Sequence, residues 1–451
     1  MRGQLKSSNT KKMIGRQMLI MLVFISMAHC SYGQEDSLAL AQAIEYTLEN
    51  NFQIRIAQNS SDIAENNTTV FNAGQLPSVF MDGSANYSLD NTNANFQDGR
   101  TAKVRSAPSQ AVRLSMNVSY TIFNGYLRKY TIDQLTKQYQ LTELQLKATM
   151  ENLVAQTLSQ YYRLAASQNT LMIMEDMISL SQKRMERAQQ MFEFGQGSGL
   201  NVLNAEVDLN NDSLNYINAR LQFENTRRQL NNTMAVDADS AYIVSSVTDM
   251  EELFDRETLY RAMMENNTNL TLVDKDIQLG KLQINLAEAR RLPSFDITGT
   301  YDISYNRNNP AAFLASQSSN GLFIGFTARW NVFDGGNTKT DIENARLNSL
   351  GLEMQKEQVI QNLQFDFSNA WAQYESAHFV LKTARKNLEI NQKNYARSEE
   401  QYRIGQINSI DYRQAQLNLS NARVELNNAY FQLKIAEVQL LLLSGNLLNL
   451  V

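Results

Sequence analysis

The sequence predicts a mainly α-helical chain with a small β part, in which long antiparallel, coiled-coil-like helices are interrupted by four strands. Three observations carry that prediction. The four prolines, Pro77, Pro108, Pro293 and Pro310, all lie in or beside two short regions, leaving Tyr126 to Leu292 and Asn337 to Val451 free of the strongest helix breaker. Inside those two regions apolar and polar residues alternate with period two, the pattern of a strand with one dry and one wet face. The whole plan then occurs twice. Glu49-Asn50-Asn51 recurs as Glu265-Asn266-Asn267 and Leu76-Pro77-Ser78 as Leu292-Pro293-Ser294, while "YTIFNG" from Tyr120 recurs as "WNVFDG" from Trp330. A repeat of that length is a duplicated half-chain rather than a solenoid unit.

The first segment is a targeting signal by its design. Arg2, Lys6, Lys11, Lys12 and Arg16 precede the apolar run from Met18 to Ala28, and Ser31 and Gly33 supply small residues before a cleavage point. Residues 1–33 are therefore expected to be a signal peptide. A retained anchor is the alternative, but the run is about half the ~20 residues a spanning helix needs. Cys30 as a lipidation site is a second alternative, poorly served by the residues just before it. After residue 33 no long apolar run occurs.

The first repeat, 34–236, opens with a helix and then two strands, 78–90 and 111–123. In the first strand Val79, Met81, Ala85, Tyr87 and Leu89 alternate with polar residues; in the second Val112, Leu114, Met116, Val118 and Tyr120 do so. Residues 237–256 join the repeats. The second repeat, 257–451, carries strands 294–305 and 321–333, where Phe295, Ile297, Tyr301, Ile303 and Tyr305, then Leu322, Ile324, Phe326 and Trp330, hold the apolar positions. Alternation alone also suits a half-buried sheet packed on helices. Together with the signal segment, four near-equal strands of about 10 to 12 residues, close to the ~9 to 11 that cross a bilayer at a tilt, suit a membrane wall. Four strands cannot close a membrane barrel, which needs about eight, and open edges are excluded from lipid. Several chains must then share one barrel.

From Tyr126 to Gly195 the chain has room for a helix about 100 Å long. Glycine readily ends a helix, so turns are expected near 195–201 and 405–411, with Ser198 and Asn408 capping the returning helices. The last helix carries Leu419, Ala422, Leu426, Ala429, Leu433, Ala436 and Leu440, a 3-4 spacing that makes a close antiparallel seam. A periplasmic coiled-coil scaffold without a pore would show the same seam and is the competing class; it would not need the strands.

Other classes are excluded by inventory. A net charge of −5 with no basic run after the first sixteen residues argues against a nucleic-acid partner. After residue 33 there is no cysteine and one histidine, His378, on a helical pattern where packing is the default role. No phosphate loop, HExxH or nucleophile elbow occurs. The chain is expected to be no enzyme and to need neither cofactor nor metal; its 18 methionines are scattered.

The order of these motifs resembles the outer-membrane factor family, the TolC-like efflux and secretion ducts. The resemblance covers essentially the whole mature chain: "SLALAQAIEYTLENN" from Ser37, "LPS" before each strand pair, "FNG" and "FDGG" after it, and "FGQGS" and "YRIGQIN" at the helix tips, in order and twice. It implies a homotrimer in the outer membrane of a Gram-negative bacterium, each protomer giving four transmembrane strands to one 12-stranded barrel on a helical periplasmic tunnel, with 237–256 at its equator. It implies conduction rather than catalysis, in tripartite efflux or type I secretion, with a periplasmic adaptor (membrane fusion protein) and an inner-membrane pump as partners. The resemblance leaves the exported substrate open.

The resemblance also nominates sites. Adaptor tips would dock on Gly195, Gln196, Ser198, Gly405, Gln406 and Asn408, residues that good turn chemistry explains equally. For a periplasmic gate, the family's first of two aspartates matches Asp411, but the second falls on Gln414. A family tyrosine matches Tyr402; its aspartate partner is Asn201 here and the following arginine is Ile407. The ionic latch therefore does not carry over, a neutral Tyr402–Asn201 hydrogen bond is the most that could replace it, and an easier-opening or differently latched aperture is expected. Asp411, repeated by symmetry, would form an acidic ring favouring cations, or it serves only the helix dipole.

Overall fold

A computed structural model describes residues 37–69, 71–72, 74–245 and 253–450. The expected signal segment 1–33, with Cys30, and residues 246–252 of the segment joining the repeats lie outside the described residues.

The chain runs β1 (Ser37–Leu38), α1 (Leu40–Asn50), α2 (Phe52–Asn67), β2 (Ser78–Asn95), β3 (Thr101–Asn124), α3 (Leu127–Glu193), α4 (Gly199–Met234) and β4 (Ile243–Val244). It then repeats with α5 (Arg256–Asn266), α6 (Thr268–Ala289), β5 (Ser294–Arg307), β6 (Ser316–Arg329), α7 (Asn337–Arg403) and α8 (Ser409–Leu443), ending in a short 3-10 turn, Leu447–Leu450. The rising helices α3 and α7 are each 67 residues, about 100 Å at 1.5 Å per residue. Each is met by a returning helix, α4 or α8, to make two long hairpins that pack together through α3 and α8.

Two apolar clusters hold the hairpins midway along their length. The first gathers Ala43, Ile44, Val154, Tyr161, Leu164, Leu230 and Met234; the second gathers Met263, Phe367, Tyr374, Leu381, Leu433 and Leu440. The predicted seam of α8 is buried from Leu419 to Leu440, apart from the partly buried Leu426. Small residues at Ala422, Ala429 and Ala436 let the helices approach where leucines would hold them apart.

The duplicated asparagines explain how each half closes. Asn51 caps α2 by accepting the Gln53 N–H at 2.8 Å, and its amide donates to the Thr233 carbonyl at 2.7 Å. Asn267 caps α6 by accepting from Asn269 and Leu270, and its amide donates to the Leu443 carbonyl at 2.9 Å. One buried side chain thus satisfies the orphan donors of one helix start and an orphan acceptor of one helix end.

Four strands form one antiparallel sheet in the order β2-β3-β5-β6. The register aligns the apolar positions into rows that cross all four strands, such as Met81–Met116–Tyr301–Leu322 and Val79–Val118–Gly299–Ile324. This face is bare: Met81 is 67% exposed and Leu322 68%. The opposite face is polar and cross-linked. Arg113 forks onto Asp302 at 3.0–3.1 Å, Asp82 accepts from Ser115 and Asn117, and Asp296 accepts from Thr121. A sheet packed on helices would have its dry face covered; here the outer strands β2 and β6 also keep one unpaired edge each.

The strand limits differ from those expected. The β2–β3 ladder continues past 90 to Asn95 and begins again at Thr101, through a bulge at Asp90/Thr92. Backbone pairing needs no apolar side chain, so alternation marks only the apolar band, and the polar extension stands beyond it. The fourth strand runs Ser316–Arg329 rather than 321–333. It stops where the indole of Trp330 donates to the Arg291 carbonyl at 3.1 Å and Asp334 turns the chain by accepting the Gly336 and Thr338 N–H groups.

Candidate functional site

The predicted functional residues gather at the two hairpin tips, opposite the sheet. Both turns are built alike. Phe194 caps the end of α3, Gly195 takes φ +70°, and the Gln196 N–H reaches back to the Met191 carbonyl at 2.8 Å; Ile404 caps α7, Gly405 takes φ +76° and the Gln406 N–H donates to the Gln401 carbonyl at 2.8 Å. The left-handed conformation costs an L side chain about 1–2 kcal/mol, which is why glycine stands at both positions. Ser198 then accepts the Asn201 N–H, and Asn408 accepts those of Ile410 and Asp411 at 2.9 Å each. Apolar side chains that the sequence reading passed over surround these turns in the open: Phe194, Leu200 and Leu203 at the first tip, Ile404 and Ile410 at the second. Their signal was available, as large apolar residues inside a polar turn.

The candidate gate residues do not come together as expected. Among the described residues no hydrogen bond joins Tyr402 to Asn201. Tyr402 instead lies flat on Tyr412, ring centres 4.6 Å apart and planes 8° apart, and the Arg187 guanidinium of the first hairpin sits over the Tyr402 ring itself, 4.7 Å from its centre. Two large flat faces and a cation outcompete one neutral hydrogen bond at a partly exposed site. Tyr395 extends the stack, its hydroxyl 3.1 Å from that of Tyr412. Burial, and then that hydrogen bond, push the Tyr395 phenol well above its ordinary range. Asp411 is exposed on the first turn of α8, and Gln414 donates to Asn418 at 2.8 Å on the same helix. Just before the second turn Arg403 bonds Glu400 at 2.7 Å and holds that carboxyl below the usual range.

A charged cluster above the tips was missed by sequence reading. Buried Ser181 and Arg184 of α3, Asp212 of α4 and Arg413 of α8 converge, with the partly exposed Asp208 of α4 at the edge of the group. Arg413 donates to Asp212 at 2.7 Å and to Ser181 at 3.3 Å and lies 3.6 Å from Asp208. Arg184 pairs with Asp208, and the Ser181 hydroxyl donates to Asp212. Only the spacing of 181 with 184 and of 208 with 212, each on one helix face, was visible beforehand. No group of His, Cys, Asp or Glu among the described residues could hold a metal ion, and none of the described helices is long and apolar enough to cross a membrane.

Comparison with known proteins adds an independent line. The sequence model for the outer membrane efflux protein family matches residues 43–236 and 259–446. The chain is 20% identical to the outer membrane protein TolC of Vibrio cholerae serotype O1 over 66% of each chain, just under two thirds of that protein. It is 22% identical to the toluene efflux pump outer membrane protein TtgC of Pseudomonas putida, over 85% of this chain and 78% of that protein. The crystal structure of the Campylobacter jejuni CmeC outer membrane channel superposes with a TM-score of 0.74 at 18% identity, covering 90% of this chain and 86% of that one.

Proposed function

The chain belongs to the outer membrane efflux protein family, and on that premise we propose that it is the outer-membrane channel of a tripartite efflux assembly. Three protomers would each contribute β2, β3, β5 and β6 to one 12-stranded barrel, and their helical hairpins would form a periplasmic tunnel that receives solute from an adaptor and an inner-membrane pump.

The bare apolar face of the four-stranded sheet carries this reading. Rows of Met, Val, Ile, Leu and Tyr cross the sheet on one side while Asp82, Asp296, Asp302 and Arg113 line the other. Covered by lipid, the first face gains what water denies it, at about 25 cal/mol per Å²; enclosed in a barrel, the second keeps its water. Two open edges in one protomer are satisfied when neighbouring protomers pair β6 with β2, since lipid tolerates no unpaired ladder. Sheet and tips lie at opposite ends of helices about 100 Å long, three times a bilayer core. The family name and the efflux-channel relatives favour transport over a scaffold.

The test uses the full chain. After cell fractionation the protein is expected to stay with outer membranes through a carbonate wash, to run as a trimer, and to conduct ions in planar bilayers. Release by carbonate as a monomer would return the scaffold reading.

A further inference from the structure

We propose that Lys103, Arg105 and Arg307 form a docking surface for the phosphorylated glycolipid of the membrane's outer leaflet, two of the three being aimed outward by the bulge in β3. The inference rests on the channel reading above, which puts the turn end of the sheet at the cell exterior and its helix end at the periplasm.

Sorting the strand residues by face separates their charges. The strand aspartates Asp82, Asp90, Asp296 and Asp302 all lie on the polar face, with Arg113 and Arg329. The apolar face carries no acid, and its charged side chains stand only at the turn end. Arg307 pairs with Gln110 in the row of Tyr87; Arg105 and Lys103 follow beyond Leu89. All three are exposed, and among the described residues none has a side-chain hydrogen bond or ion pair.

The bulge decides where two of these charges point. Between the Asp90–Ala107 and Thr92–Val104 pairs β3 gains one residue, so that Arg105 and Ser106 together oppose Asn91. Ser106 is held there at φ +49°, its N–H donating to the Asn91 side chain at 2.8 Å. A left-handed serine is costly, and one inserted residue exchanges the two faces of its strand. On the membrane side of the bulge the even residues Pro108 and Gln110 continue the apolar face. Beyond it the odd residues Lys103 and Arg105 do so, while Ala102 and Val104 turn to the half-buried inner side. An unbroken ladder would put both cations in the lumen and Val104 among the headgroups.

The depth of the charges selects the ligand. At about 6.8 Å for every two residues, they spread over about 20 Å of strand, or about 12–15 Å along the normal of a tilted barrel. A phospholipid headgroup layer is about 5–8 Å deep, too thin to hold Arg307 and Lys103 together. A glycolipid bearing anionic groups at several depths on its sugars meets all three. Asn91, Asn93 and Asn95, exposed on the same face, offer amides to those sugars.

Binding of a fluorescent rough lipopolysaccharide to the purified full-length trimer in detergent, followed by anisotropy, tests this. Wild type is expected to bind saturably, and more weakly as salt rises. Lys103→Gln, Arg105→Gln and Arg307→Gln together should weaken binding on the order of a hundredfold, about fivefold for each charge removed. Arg329→Gln, on the inner face, should match wild type. The same lipid stripped of its phosphates should bind wild type as weakly as intact lipid binds the triple variant. Unlabelled lipopolysaccharide should displace the label at least about tenfold more effectively than phosphatidylglycerol or inorganic phosphate at equal phosphate concentration. Wild-type affinity in the triple variant or for the dephosphorylated lipid, an equal loss in Arg329→Gln, or equal competition by either other phosphate source would overturn the proposal. If the triple variant yields no trimer, wild-type affinity in Lys103→Gln combined with Arg105→Gln overturns it instead. A wild-type chain that carbonate releases as a monomer would overturn the channel reading itself; a membrane-held trimer that binds no lipopolysaccharide overturns this inference alone.

Discussion

The two hairpins are one device built twice, and they differ where they touch. Rising helices of 67 residues, glycine turns of the same hydrogen-bond pattern and a capping asparagine that also holds the returning helix's last carbonyls occur in both. The contact surface near the tips is not shared. The first hairpin offers the buried Arg184 and Asp212, with Ser181 and the partly exposed Asp208 beside them, whereas the second offers three stacked tyrosines and a single arginine. Backbone closure is alike in both halves because each buried orphan group needs a partner there; a lateral seam needs complementarity instead, so its two sides differ.

The largest effects should come from the shared parts. Asn51→Ala and Asn267→Ala each remove a cap and leave a buried carbonyl unpaired, at about 2–3 kcal/mol. Chemical denaturation of the two variants should give closely similar losses, and a large difference would break the equivalence of the halves. Gly195→Ala and Gly405→Ala should each cost about 1–2 kcal/mol for the left-handed turn, again alike, measured as matched shifts of the melting temperature.

The unshared seam should respond on one side only. Tyr412→Phe keeps the ring faces but removes the hydroxyl that bonds Tyr395, and stability should fall by about 1 kcal/mol. Tyr395's raised phenol makes the sign definite. Its contribution is complete below the ordinary tyrosine range near pH 10 and is lost only as pH climbs through the higher folded value. Ultraviolet titration should therefore show Tyr395 among the tyrosines that ionise late in wild type and ionising earlier in Tyr412→Phe, while Tyr242, held late by burial, is unchanged.

Much of this was legible in the sequence, and what was not has physical causes. Period-two alternation located all four strands because lipid or core sorts side chains by face, but it missed Asn91 to Asn95 and Thr101 to Gln110, where Val104 is the one large aliphatic residue and no apolar row marks a face. The α8 seam was readable from Leu419 to Leu440 because small and large residues repeat. The repeated asparagines were visible as letters, although their second bond, across the half-chain to Thr233 or Leu443, was not. The charged cluster was invisible as a unit: residues 181, 208 and 413 meet only after both hairpins have packed. Nor could an expected Tyr402–Asn201 bond be weighed against stacking without knowing that Tyr412 and Arg187 lie on either side of Tyr402.

The central claim is that one face of the sheet meets lipid and the other water. Because residues 34–451 contain no cysteine, single cysteines can be placed along β2, β3 and β6 and labelled with an environment-sensitive fluorophore in the reconstituted trimer. Labels at Met81, Met116 and Leu322 should be quenched by brominated lipid, and labels at Asp82, Asn117 and Gly321 by an aqueous quencher. Equal access of the aqueous quencher to both sets would contradict a membrane barrel.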